Sequence, residues 1–417
     1  MLDAATAPTI DKLAIGLVFA LTYLGIAAGR VPGLKLDRTG IVLLGAIAVM
    51  VFGGLPTQTV IGFIDWPTVL LLFGFFVLSA QLRLSGLFDA LADGIARRLD
   101  QPRRFLGLLM LSTAGLSAVL NHDIVCLVFT PIVATALLRQ RLNPLPFLVA
   151  LAIASNIGAA TTVVGNPQGM MIAQIAGLDF GRYVLWCLAP VLFALACAYA
   201  LIWRMSRGHL AAVAPAAPEP AVTPRPLDRP HTIKGLVILG AVIALFFTSL
   251  PKELVALTAA AIHLASPKFR TQDLLAQVDW PILVLFMGLF VVTGAFDATG
   301  YGDEAVAQLA KSGIDLQSPI TLTLVTAALS NLVNNAAAVM LLLKVTAVGQ
   351  EPTAYVLALA NSFGGSLLVV GSVSNIIVVQ QARALGIHIS LRDYARLGAP
   401  VTLAALLGLM GWVLLVN

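Results

Sequence analysis

Residues 65-DWPTVLLLFGFFVLS-79 return as 279-DWPILVLFMGLFVVT-293, with the same Asp-Trp-Pro start and the same apolar run. The echo extends along the chain. Residues 116-LSAVLNHD-123 align with 329-LSNLVNNA-336, and 154-ASNIGAATTVVGNPQGMMI-172 with 360-ANSFGGSLLVVGSVSNIIV-378. Near the end Ala189-Pro190-Val191 matches Ala399-Pro400-Val401, and the offset stays between 206 and 214 residues throughout. An internal repeat of this length decides the architecture, because whatever one half folds into the other must fold into as well.

Composition fixes the solvent. With 59% hydrophobic and 11% charged residues, 417 residues hold more apolar surface than a water-soluble core of this size buries. Apolar segments of roughly 17 to 25 residues, the length that crosses a bilayer as helix, recur along the chain, and no alternating strand pattern points to a barrel. The expected class is an all-α polytopic membrane protein of two repeats, each with about five spans. The first helix, about Leu13 to Ala28, follows MLDAATAPTIDK, which lacks a basic signal-peptide start and is expected to be retained. Cys126, Cys187 and Cys197 have no CxxC or Cys/His spacing, so neither a disulfide frame nor a metal site is expected. The net charge of +5 reads as cytoplasmic loops and not as a nucleic-acid surface. The chain carries no Walker A motif.

Basic side chains mark the cytoplasmic face. The Pro/Ala-rich linker 204–233 carries Arg204, Arg207, Arg225 and Arg229, with Lys234 just beyond, against Glu219 and Asp228, and is expected there. The segment 83–104 sets Arg83, Arg97, Arg98, Arg103 and Arg104 against Asp89, Asp93 and Asp100. Its counterpart 297–317 has Lys311 against Asp297, Asp303, Glu304 and Asp315. Corresponding loops of opposite charge predict an inverted repeat with both termini outside, the arrangement many secondary transporters use to open one site alternately to each side. The first repeat is placed at 1–203 and the second at 234–417. Each divides into scaffold helices (12–103 and 234–317) followed by transport elements (104–203 and 318–417).

Asn121-His122-Asp123 interrupt the apolar run 116–133 at the bend of a hairpin spanning about Arg104 to Arg139. Its twin, about Ser318 to Thr346, bends at Asn334-Asn335. Arms of about 16 residues reach only ~24 Å, which suits a re-entrant hairpin as well as two tight spans. A wetted turn is the plain alternative for one such triplet. Yet each bend is followed by a second polar break, 155-SNIGAATTVVGNPQG-169 and 361-NSFGGSLLVVGSVSN-375. Backbone freed at membrane depth needs protein or a watery cavity to satisfy it, and discontinuous helices offer carbonyls to cations and N-termini to anions. Outside these breaks, Lys344 is expected to snorkel, His263 to be a satisfied interfacial histidine, Cys126 to be core, and Gly25 and Gly29 to pair helices.

The paired bends and the paired signatures SNIGAATTVVGNPQG and GGSLLVVGSVSN resemble the ion transporter superfamily. The closest likeness is its citrate-transporter-like branch, with arsenite permeases, sodium/proton antiporters and divalent-anion/sodium symporters. The resemblance implies a scaffold and an elevator-like transport domain, usually in a homodimer. It also implies that hairpin tips and helix breaks enclose substrate and coupling ion. On this chain that points to Asn121, His122, Asp123, Asn156, Thr161, Gly165, Asn166 and Pro167, and to Asn334, Asn335, Ser362, Gly371, Ser372 and Asn375. Gly169 stands where relatives often have Asn, and Val373 where they often have Pro.

The expectation is a secondary active transporter of a small inorganic or organic anion, or an arsenite-like oxyacid. Protons or sodium would couple through Asp123 with His122, with no other cofactor. A bacterial inner membrane is the expected location, with small ions and lipid as the partners. The main alternative is a sodium/proton antiporter carrying no anion. An intramembrane hydrolase using Ser117 and His122, or a passive channel, is more remote.

Overall fold

The computed structural model describes residues 11–29, 33–97, 99, 101–208, 225–311, 314–346, 349 and 351–416. Arg98, Asp100 and Glu219, which entered the charge reading, and the centre of the linker at 209–224 lie outside them.

The Asp-Trp-Pro repeat is a helix start written twice. Asp65 Oδ1 accepts from the Thr68 amide at 2.8 Å to cap α4 (Trp66–Leu84), and Asp279 Oδ1 accepts from Ile282 at 3.1 Å to cap α14 (Trp280–Ala298). Proline in the first turn removes an amide that has no helical partner there anyway. The rest of the first half follows the same logic. It comprises α1 (Lys12–Ala28), α2 (Arg38–Phe52), α3 (Thr57–Gly62), α5 (Leu87–Ala96), α6 (Pro102–Val119), α7 (His122–Arg139), α8 (Leu145–Ala159), α9 (Pro167–Ile175) and α10 (Phe180–Ser206). The second half repeats the order as α11 (Arg229–Leu245), α12 (Lys252–Leu264), α13 (Thr271–Leu275), α14, α15 (Tyr301–Lys311), α16 (Pro319–Val333), α17 (Asn335–Val345), α18 (Glu351–Gly364), α19 (Val373–Ala384) and α20 (Leu391–Val416). A short 3-10 turn, Val369–Gly371, lies in the second break.

The halves interlock. Gly74 of α4 and Gly288 of α14 occupy the same position of the repeat. A Cβ on Gly74 would fall 2.7 Å from Ala256 of α12, and one on Gly288 2.7 Å from Val42 of α2. Each long apolar helix therefore lies against the short second helix of the opposite half, and only glycine permits the approach. Among the described residues five helices are long and apolar enough to cross a membrane: α4, α7, α10, α14 and α20. The all-α class, the twofold repeat, the hairpins and the broken helices are those read from the sequence. The hairpin arms are not equal, however. Arms α6 and α7 have 18 residues each, ~27 Å of helix, whereas α16 and α17 have 15 and 11.

Three expectations change. Lys344 does not simply snorkel, because its Nζ lies 3.2 Å from Asp297 Oδ2, a pairing that the apolar helices between them hid from sequence. His263 is 1% exposed and neither ring nitrogen meets a protein partner, since α12 presses it against α4. Gly25 does pack closely, with a Cβ there 2.8 Å from Ile41, but Gly29 ends α1 with φ +69 instead of lining an interface.

Candidate functional site

Four helices of the broken and hairpin elements begin at one place. His122 and Asp123 open α7, Pro167 and Gln168 open α9, Asn334 and Ala336 flank the start of α17, and Ser372 and Val373 start α19, all of them lining one cavity of about 20 Å3. Ile282, Leu285 and Phe286 of α14 form its apolar wall. Each helix N-terminus carries a partial positive charge, so the convergence makes the cavity attractive to an anion or to the oxygens of an oxyacid. A cavity of this size admits about one water-sized group, so the conformation described is closed around its centre.

The first bend is built by its own side chains. Asn121 Oδ1 accepts from the Asp123 amide at 2.8 Å and caps α7, leaving Asn121 Nδ2 without a protein partner. His122 donates its amide to the Gly165 carbonyl at 3.3 Å, tying the bend to the first break. The His122 Nε2 atom lies 3.6 Å from Asp123 Oδ1, while its Nδ1 is unpartnered. All three residues are buried. Gly165 is fixed by this packing, because a Cβ there would collide with the carbonyl oxygens of Ala159 and Ser117.

From Asp123 a polar chain crosses to the other half. Ser374 Oγ donates to Asp123 Oδ1 at 2.7 Å. Ser372 Oγ lies 3.3 Å from Ser374 Oγ and donates to Asn156 Oδ1 at 2.9 Å. Asn156 Nδ2 donates to Asn375 Oδ1 at 2.8 Å, and Asn375 Nδ2 in turn donates to the Gly365 and Leu368 carbonyls at 2.7 and 3.0 Å. Asn166 Nδ2 reaches Ser362 Oγ at 3.2 Å, and Asn166 Oδ1 accepts from the Gly169 amide at 2.6 Å. The amides thus satisfy backbone released by the breaks, which buried polar groups require.

The second bend is held differently. Asn334 Oδ1 caps α17 through the Ala336 amide at 2.7 Å, but Asn334 itself has φ 83 and ψ 156, a region that asparagine rarely enters. Such a conformation costs ~1–3 kcal/mol and persists only where its surroundings enforce it. Asn335 Oδ1 is buried without a protein partner.

The structure places His122, Asp123, Pro167, Asn334 and Ser372 on the cavity wall, joins Asn156 and Asn375 to them through the polar chain and sets Asn121 beside Asp123 as its cap, while Asn166 and Ser362 form a separate bonded pair and Asn335 is the first residue of α17. Gly165 and Gly371 act through the space they leave; a Cβ on Gly371 would fall 2.5 Å from Asn331 Oδ1. Thr161 is not drawn in by its hydroxyl. Its neighbour Thr162 instead donates to the Ala118 carbonyl and anchors the first break to α6. Gly169 has a structural reason, since a Cβ there would lie 2.9 Å from the Val163 carbonyl and 3.1 Å from Asn166 Oδ1. Sequence reasoning missed Ser374, although it stands inside the quoted GSVSN, and missed Gln168 and the α14 wall, which carries no polar signal. The hydrolase pairing does not form, because Ser117 Oγ meets Ser155 Oγ at 3.2 Å and not the imidazole.

The described residues form an all-helical structure, with broken helices that start around a buried polar centre, and the family and relatives of the chain make it a membrane transporter. The chain belongs to the citrate transporter family, whose model matches residues 23–360. It is 31% identical to an uncharacterised transporter of Mycobacterium bovis over 92% of this chain and 94% of that protein. It is also 26% identical to a silicon efflux transporter of rice, Oryza sativa subsp. japonica, over 90% and 91%. Among solved structures the YdaH transporter of Alcanivorax borkumensis shares the fold, with TM-score 0.59, 15% identity and 97% coverage of both chains.

Proposed function

We propose that the protein is a secondary active transporter that moves a small anion or a compact oxyacid coupled to a proton or sodium gradient by alternating access. The observation that carries the reading is the meeting of four helix N-termini around one carboxylate, Asp123, which is hydrogen-bonded to Ser374 and beside His122. The N-termini supply their positive dipole ends for substrate oxygens. Among the described residues Asp123 supplies the only acidic side chain on the cavity wall and so the place for a coupling proton or sodium ion. A compact oxyacid such as silicic acid or arsenite is the favoured substrate over citrate, because a relative is a silicon efflux transporter.

In this reading the hairpins, broken helices α8–α9 and α18–α19, and last spans move as a transport domain against a scaffold of the remaining helices. The halves are inverted in a bacterial inner membrane, with the linker cytoplasmic and both termini outside, and the protein acts as a homodimer. Charge movement in proteoliposomes tests it, with pH jumps and sodium jumps applied separately in the presence of arsenite, silicic acid, sulfate, phosphate or citrate. Current that needs one of these solutes together with one gradient supports the reading and names both substrate and ion. Current driven by sodium and pH with no solute present would make the protein a cation antiporter.

A further inference from the structure

The paired second helices of the two halves are packed unlike one another. In the first half α1 and α2 touch through glycines: a Cβ on Gly25 would fall 2.8 Å from Ile41, and one on Gly45 would collide with Thr22. In the second half α11 and α12 stand apart, and a Cβ on Gly240 would meet nothing within 4 Å. Between them lies a groove of about 370 Å3, lined by Ile238, Ala241, Leu245, Leu250, Leu254 and Ile262 among others. Leu245, Leu250, Leu254 and Ile262 are exposed. From Pro251 to Ile262 the groove runs ~16 Å along α12, close to the ~15 Å of hydrocarbon in one leaflet.

The two ends differ in charge. At the Pro251 end the charged side chains are already engaged with the α9–α10 region: Lys252 Nζ donates to the Leu178 carbonyl at 3.1 Å, and Glu253 accepts from Gln174 at 3.0 Å. At the Ile262 end Lys234 Nζ rests on the Ile262 carbonyl at 3.4 Å, with Arg229 one and a half turns before it at the start of α11. Among the described residues neither of these two cations pairs with a carboxylate. The nearby Asp228 is taken by His231 at 3.0 Å and Lys268 at 3.3 Å.

We propose that this groove is a binding site for an anionic phospholipid, with one acyl chain lying between α11 and α12 and the phosphate-bearing headgroup on Lys234 and Arg229. An apolar slot of leaflet length that ends in unpaired basic side chains matches such a lipid at both ends. It does not match an apolar helix of a second copy, which would leave those cations without an anion.

Native mass spectrometry of the full-length protein in detergent tests the site, with phosphatidylglycerol and phosphatidylcholine added at equal concentration. The expected result is one phosphatidylglycerol retained about tenfold more than phosphatidylcholine. The preference should be lost in the Arg229→Gln/Lys234→Gln double variant, and both lipids should be lost in Ala241→Trp, which fills the slot. Ala241 faces outward, and Thr258→Trp on α12 offers a second filling variant should the first misfold. Equal retention of the two lipids, or retention unaffected by the filling variants, would overturn the proposal. So would disulfide capture between protomers through Leu254→Cys, which would make the face a protomer interface.

Discussion

The two hairpin bends occupy the same position in the repeat and carry different chemistry. The first, Asn121-His122-Asp123, sits in relaxed backbone with φ −59 at its cap and brings two titratable groups into the cavity. The second, Asn334-Asn335, brings only amides and holds Asn334 at φ 83. Both halves place a helix N-terminus at the cavity. On the proposed function, the first bend takes and releases a cation, and the second presents neutral hydrogen-bonding groups whose number does not change with pH.

The contrast can be broken most sharply at Asp123. Asp123→Asn removes the carboxylate to which Ser374 donates, and solute-dependent charge movement should fall about 100-fold, the size of losing one charge-assisted hydrogen bond, read in proteoliposomes under a pH or sodium gradient. Ser374→Ala leaves the carboxylate but takes away its donor. Coupled transport should drop about tenfold and return in Ser374→Thr, which keeps the hydroxyl. At the second bend, Asn335→Ala should weaken the apparent affinity for the transported solute about fivefold while leaving the ion requirement as in wild type, measured from the concentration dependence of the current.

Asn334→Gly tests the strain. Glycine enters positive φ freely, so the thermal midpoint in detergent should rise, with ~1 kcal/mol of relieved strain against a few tenths for the lost cap. The smallest effect is expected at the surface. The His231 ring hydrogen bond holds the Asp228 carboxyl below the ordinary aspartate range. A depressed carboxylate contributes stability fully above its unfolded value, near ~4, and loses it as pH falls through the lower folded value. The stability gap between wild type and Asp228→Asn should therefore be level at neutral pH and close below about pH 4.

What the sequence told, and where it stopped, follows from the range of each interaction. The Asp-Trp-Pro segments at Asp65 and Asp279 were legible as a repeat, and the caps the structure shows there are contacts only three residues long. The breaks were legible because Gly, Asn, Ser and Pro cannot be hidden in an apolar helix. The bond from Ser374 to Asp123 spans 251 residues and depends on how α19 packs on α7, which no local pattern carries. The same holds for the apolar α14 wall of the cavity and for the pairing of Lys344 with Asp297. The positive φ at Asn334 was invisible for another reason, since its sequence looks much like the relaxed bend at Asn121. The groove between α11 and α12 emerged only from comparing two helix pairs that the repeat had made look equivalent.

The division of labour between the bends is tested most directly by counting protons. Titration calorimetry of solute binding in two buffers of different ionisation enthalpy reports protons exchanged on binding. It would be run on the wild type, Asp123→Asn and Asn335→Ala with whichever solute drives current. If the proton is the coupling ion, wild type and Asn335→Ala should exchange about one proton per solute and Asp123→Asn none; if it is sodium, the same pattern should appear in sodium dependence. Proton or sodium linkage that survives in Asp123→Asn, or disappears in Asn335→Ala, would contradict the account.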